Sequence, residues 1–281
     1  MADIRPHKAK EYTFRQSAHA HVPELPVRAV LLAPSGGGKT TMLVSLIKDI
    51  YPKCWERIYV WSPTVHLDDH WNAVKKYARD VLGTPEDEKC FFDTFEEKAL
   101  AAVIEKHRRI THLAKHQGRT RLFGPLIILD HVADDPRITR RATSVHELFV
   151  RGRHYGLSVI ASVQKYRVLA PIIRVNATDT FVFRLRSQND AYALVEENSA
   201  AYGKDATAAI LAHATAEPYS FLWINGRAKQ QAEIFWLRFQ SMLVPSSSKG
   251  SNSAPEVEDE EALTKARVAA SSAKQRAGGR P

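Results

Sequence analysis

Ala33-Pro-Ser-Gly-Gly-Gly-Lys-Thr40 follows the apolar run Val27 to Ala33 and precedes Thr41-Met-Leu-Val-Ser-Leu-Ile, which has the character of a helix. A glycine-rich turn between a strand and a helix, closed by Lys-Thr, reads as a phosphate-binding loop. The chemistry follows from the residue types. Gly36, Gly37 and Gly38 let backbone N–H groups converge on phosphate oxygens, and the helix N-terminus adds its positive dipole end. Lys39 reaches the β and γ oxygens, and the Thr40 hydroxyl ligates magnesium. Ala33, Pro34, Ser35, Gly36, Gly37, Gly38, Lys39, Thr40 and Thr41 are therefore the expected nucleotide-binding set, with ATP and Mg2+ as cofactors. Ala33 stands where the pattern has glycine, and alanine is small enough for that turn. A chance glycine-rich turn is the competing reading, and the flanking strand and helix weigh against it.

A nucleotide site of this type needs a second strand that ends in an acid. Leu126-Ile-Ile-Leu-Asp130 supplies one, which makes Asp130 the second expected magnesium ligand. The next residue is His131, where ATP hydrolases of this class carry Glu or Asp to activate the attacking water. Asp134 is a substitute within reach, although Asp134-Asp135-Pro136 also reads as a plain turn. Leu157 to Gln164 is an apolar strand ending in an amide, which suits Gln164 as a γ-phosphate sensor. Arg151 and Arg153 lie at a helix end. Each reads either as a finger reaching a neighbouring subunit's site or as a cap on the helix C-terminus.

Strands are expected over 27–33, 57–62, 125–130, 157–163, 180–185, 219–224 and 233–239. Helices are expected over 39–50, 68–81, 96–117, 144–155, 189–199 and 204–213. This alternation predicts an α/β fold with a mostly parallel sheet and helices on both faces. The Asn225-Gly226 pair predicts a C-terminal β-hairpin on the sheet edge.

Taken together, the phosphate loop, Tyr59-Val-Trp-Ser-Pro-Thr64, Ile127 to Asp130, Leu148-Phe-Val-Arg-Gly-Arg-His154 and Val159-Ile-Ala-Ser-Val-Gln164 resemble the FtsK/HerA superfamily. Within it they look like the genome-packaging ATPases of large double-stranded DNA viruses, poxvirus-type, and their virophage and Polinton relatives. The likeness runs from Val27 to Phe239. It implies a RecA-like ASCE P-loop NTPase fold and a homo-oligomeric ring with ATP at its interfaces. It further implies translocation of double-stranded DNA, with capsid or portal-vertex proteins as partners. His131 departs from the family's acidic pair, which puts hydrolysis more than binding in question.

Composition agrees with a folded globular domain. Of 281 residues, 44% are hydrophobic and 25% charged, the balance of a globular protein. Forty Lys and Arg against 31 Asp and Glu leave a net charge of +9, which favours polyanionic partners. The chain divides into a flexible arm over residues 1–22, an ATPase domain over 23–245 and a disordered tail over 246–281, where Ser, Ala, Lys and Glu replace the hydrophobic period. The polar start lacks the apolar core of a secretory signal, and no apolar run approaches the roughly 20 residues of a membrane span. Cys54 and Cys90 match no disulfide or zinc pattern, so a reducing, intracellular compartment is expected. For a viral chain that means host cytoplasm or nucleus, and the virion.

His19 with His21, and His112 with His116, have metal-like spacing, but solvated faces explain them better. The five tryptophans could stack on bases, but most read as core or hairpin packing. Lys106-His-Arg-Arg with Lys115 to Arg121 is the densest basic stretch of the body, either a phosphate-tracking surface or a solvated one. Two other functions compete with a translocase. One is a P-loop kinase that passes phosphate to a small acceptor. The other is a DNA-binding scaffold that holds ATP without splitting it.

Overall fold

Apolar residues at alternating positions of each central strand divide between two cores, one on either face of the sheet. The structure, a computed structural model, describes residues 10–131, 134–135, 138, 141–245 and 256–257. In chain order the strands are β1 (Arg28–Leu32), β2 (Ile58–Trp61), β3 (Phe91–Phe92), β4 (Leu126–Asp130) and β5 (Ser158–Val163). They continue with β6 (Asp179–Phe183), β7 (Phe221–Asn225), β8 (Phe235–Leu237), β9 (Ser241–Val244) and β10 (Glu256–Val257). They form one sheet in the order β10-β9-β8-β7-β6-β1-β5-β4-β2-β3. Strands from β6 to β3 run parallel, and β7 to β10 are antiparallel additions.

The helices are α1 (Lys39–Ser45), α2 (Asp69–Asp80), α3 (Glu97–His116), α4 (Thr143–Arg151), α5 (Pro171–Asn176), α6 (Gln188–Asn198) and α7 (Lys204–Ala214). On one face Val30, Leu32, Ile127, Leu129, Val159 and Ala161 meet residues of α3 to α7. On the other, Ala29, Leu31, Leu126, Ile128 and Ile160 meet α1, α2 and the π-helical turn Leu46–Ile50 that extends α1. This is the expected parallel α/β sheet with helices on both faces. All five tryptophans are buried, and Trp61 stacks on Phe92 with ring centroids 4.4 Å apart. Among the described residues no helix is long and apolar enough to cross a membrane.

Two local expectations change. Asn225-Gly226 is not a two-residue hairpin turn, since the connection from β7 to β8 spans residues 226–234. Gly226 instead lets the backbone approach β6: a Cβ there would lie 3.0 Å from the Thr178 carbonyl oxygen, which accepts the Gly226 N–H at 2.8 Å. The tight turn lies one strand later, over Arg238 to Gln240, and among the described residues the outermost strand on that side is β10. Residues 10–22 also differ from a solvated arm. Thr13 bridges to Arg121, Phe14 packs on Gly124 and Gly156, and the Gln16 amide bonds both the N–H and the C=O of Leu25. His19 bonds the Asp49 carbonyl, and His21 stacks on Trp236. Residues 1–9 lie outside the described residues, as does the expected tail apart from Glu256–Val257, which pairs with β9.

The basic stretch is partly neutralised by pairing. Lys106 bonds Glu88, and Arg108 and Arg109 both bond Glu105. Within it His107 is only 2% exposed on the inner face of α3, beside Leu100, Val103, Ile104 and Thr111. The Tyr59 hydroxyl gives its hydrogen to Glu88 at 2.6 Å, so His107 Nε2 donates to the Tyr59 hydroxyl oxygen at 3.2 Å. Burial pushes the imidazole down to about 4. The unfolded chain therefore binds one more proton than the native one between pH 4 and the ordinary histidine value. Stability from this group is complete above pH 6.5 and is lost as pH falls toward 4. The loss should be on the order of 3 kcal/mol. Chemical denaturation of wild type and His107→Gln across that window should show a shallower acid loss in the variant.

Candidate nucleotide-binding site

The loop after β1 takes its shape from two glycines in left-handed backbone, Gly36 at φ +74° and Gly38 at φ +94°. Gly38 is the N-cap of α1, so the first N–H groups of the helix open toward the loop. Gly37 is required for a different reason: a Cβ there would lie 3.0 Å from the Pro34 carbonyl oxygen. Ala33 is buried with its N–H on the Val163 carbonyl at 3.1 Å, and its methyl is accommodated without positive φ. Lys39 is 5% exposed, and its ammonium donates to the Ala33 and Pro34 carbonyls at 3.0 and 3.2 Å. Burial lowers its proton affinity, and Asp130 and Asp134 oppose that shift. The charge is held inside the loop by two carbonyls that a phosphate can replace.

Strand β5 lies between β1 and β4, with Ser162 opposite both Leu31 and Asp130. Its end carries Gln164 into the space between the phosphate loop and Asp130. Asp130 is 1% exposed. Ser62 donates to its Oδ2 at 2.9 Å, while Oδ1 is buried without a hydrogen-bond partner among the described residues. A buried carboxylate with one oxygen satisfied and the other uncommitted suits a water-bound cation. Asp130 thus fits the expected magnesium; Thr40, the other expected ligand, is the second residue of α1. Ser62 was not anticipated as a site residue. Its signal was a polar residue closing the apolar strand β2, next to the strand of Asp130.

His131 takes a left-handed backbone, φ +58°, directly after Asp130. Its Nδ1 lies 3.2 Å from Asp134 Oδ2, and its Nε2 lies 3.9 Å from Asp130 Oδ1. The Asp134 bond raises its proton affinity, against burial. Asp134 Oδ1 accepts the Gln164 N–H at 2.7 Å, and the Gln164 amide lies 3.3 Å from His131 Nδ1. Lys39, Asp130, His131, Asp134 and Gln164 therefore meet at one edge of the sheet. Asp134 N–H also bonds the His131 carbonyl, so the turn reading and the site reading hold together, while Pro136 lies outside the described residues.

Arg151 and Arg153 do not join them. Both are exposed and sit where α4 runs into β5, at the opposite edge of the sheet. The six residues of β5 separate that edge from the phosphate loop by roughly 20 Å. Arg153 shares a cleft of about 460 Å³ with Arg28, Arg227 and His154. Its Nε points to His154 Nε2 at 3.4 Å.

Fold and site define a P-loop NTPase of the RecA-like type. The chain belongs to the poxvirus A32 protein family, whose model matches residues 14–217. It is 25% identical over 182 residues to the DNA packaging protein OPG160 of vaccinia virus (strain Copenhagen), covering 61% of this chain and 58% of that one. The monkeypox virus protein of the same name is equally identical, with 52% of its length covered. The chain thus spans little more than half of these relatives. Among solved structures, the pCW3 conjugation coupling protein TcpA, in its monomer form with ATPγS, matches with TM-score 0.50 at 15% identity, over 73% of this chain and 59% of that one. The genome packaging NTPase B204 of Sulfolobus turreted icosahedral virus 2 has TM-score 0.49 at 14% identity, over 73% and 93%.

Proposed function

We propose that this protein is an ATP hydrolase that drives double-stranded DNA as a viral genome-packaging motor. The observation that carries the hydrolase is the uncommitted Asp130 oxygen near the buried Lys39 ammonium, with Gln164 between their strands. The packaging role follows the family and the relatives named for DNA packaging. Phosphate release by the purified protein, with and without duplex DNA, tests both parts. Acceleration by DNA that weakens as salt rises supports a motor. Release that requires a small phosphate acceptor supports a kinase. Tight ATP binding without release supports a scaffold.

In this reading Lys39 leaves the loop carbonyls for the β and γ oxygens, and the N–H groups at the start of α1 hold the same phosphates. Thr40 and Asp130 would hold Mg2+, which when bound would neutralise phosphate charge. Asp134 fixes His131 through Nδ1 and leaves Nε2 to accept the proton of the water that attacks the γ-phosphorus, with ADP as the leaving group. An imidazole brings no permanent negative charge to polarise that water, so turnover is slow. His131→Glu should raise kcat several-fold with little change in ATP affinity, and His131→Ala should lower it. Brisk wild-type turnover that is lost in Asp134→Asn and unchanged in His131→Ala would assign the base to Asp134. Arg151 or Arg153 acts on the nucleotide of a neighbouring subunit in a ring, since neither reaches its own loop. Capsid or portal-vertex proteins are the partners such a ring would meet, in the reducing host interior or in the virion.

A further inference from the structure

Tyr219 is a large aromatic residue left 72% exposed, in left-handed backbone at φ +60°, just before β7. Non-glycine residues hold that conformation only when their surroundings impose it, and such strain gathers at ligand sites. The ring lies on the phosphate loop: its Cδ1 is 3.2 Å from where a Cβ on Gly38 would stand. It forms one wall of a cleft of about 630 Å³ that begins at Gly38. Thr41 and Met42 of α1 line the cleft, with Phe183 at the end of β6 and Arg238 and Gln240 of the β8–β9 turn.

The cleft has the size and mixture of an organic ligand site, largely apolar with a few polar groups at its rim. It is rigidly framed. Arg238 Nε donates to Ser220 Oγ at 3.2 Å, the Arg238 N–H bonds the Phe221 carbonyl, and Phe239 packs edge-on against Phe181, Phe221 and Trp223. A nucleotide with its phosphates on the loop must send its base away from the edge filled by Asp130, His131 and Gln164. The other opening beside Tyr219 runs past Gly36 and Gly37 to Arg184 and Arg186, and is the more polar, cationic one.

The geometry points to the cleft between α1 and the β8–β9 turn as the nucleobase site, with a purine stacked on Tyr219 and its edge toward Gln240 and Arg238. This rests on the reading that the loop binds a nucleoside triphosphate. Base stacking is tolerant of sequence and depends on the ring, so the hydroxyl is dispensable.

Calorimetric titration with ATP and with inorganic tripolyphosphate separates base from phosphate. Tyr219→Gly also relieves the strained backbone, so thermal unfolding at no lower temperature than wild type will show that the fold is kept. It should bind ATP at least about tenfold more weakly while tripolyphosphate affinity stays within about twofold, and Tyr219→Phe should match wild type for both. Unchanged ATP affinity in Tyr219→Gly, or an equal loss for tripolyphosphate, overturns the base site and leaves the phosphate loop standing. A wild-type protein that binds neither ligand removes the nucleotide reading beneath it.

Discussion

Lys39→Ala is expected to lower ATP affinity by at least about a hundredfold and to abolish phosphate release, because the site loses its one cation within the phosphate loop. The fold should survive. Among the described residues the ammonium bonds only the Ala33 and Pro34 carbonyls, and both belong to a loop whose shape is set by Gly36, Gly37 and Gly38. Losing a buried donor leaves two carbonyls without it, a penalty of about 1–3 kcal/mol that water entering the open loop reduces. Circular dichroism should therefore be unchanged while nucleotide titration fails. Unchanged affinity and turnover would falsify the phosphate-loop reading.

Arg153→Ala is expected to be nearly as inactive alone, yet to recover activity when mixed with Lys39→Ala. The arginine lies a full strand length from its own loop, so the γ-phosphate charge it would meet belongs to the nucleotide of another chain. In mixed rings some interfaces pair an intact loop with an intact arginine, and those sites turn over. Arg28 and Arg227 share the cleft of Arg153, so like-charge repulsion favours an Arg153 side chain extended from the surface. Mass measurement should first establish that mixed rings form. If they form and remain inactive for both Arg151→Ala and Arg153→Ala, the two residues serve only the end of α4.

The site was legible where chemistry demands a fixed spacing. Ala33 to Thr40 must supply glycines, a lysine and a hydroxyl in one order, and Asp130 must close an apolar strand. Elements held by a few tertiary pairings were not legible. β3 is only Phe91–Phe92, too short to show a period, and exists because Val60 and Trp61 offer it a parallel partner. α5 begins at Pro171 and spans six residues, below the length at which a helical pattern stands out. The β8–β9 turn centres on Arg238, which adopts left-handed backbone without the glycine that advertises such a turn, whereas Asn225-Gly226 advertises one and serves close packing instead. The residues after Thr13 pack through Phe14 and Gln16, single side chains in a polar run whose composition suggested solvent. Tyr219 escaped notice because a tyrosine before a strand has an ordinary pattern and an unusual φ.

The ends of the sheet bear on how copies of this chain associate. Edge strands expose unpaired N–H and C=O groups and invite another chain to add itself. Among the described residues the two outermost strands, β3 and β10, have two residues each. A template that short gives an incoming strand almost no ladder to pair with.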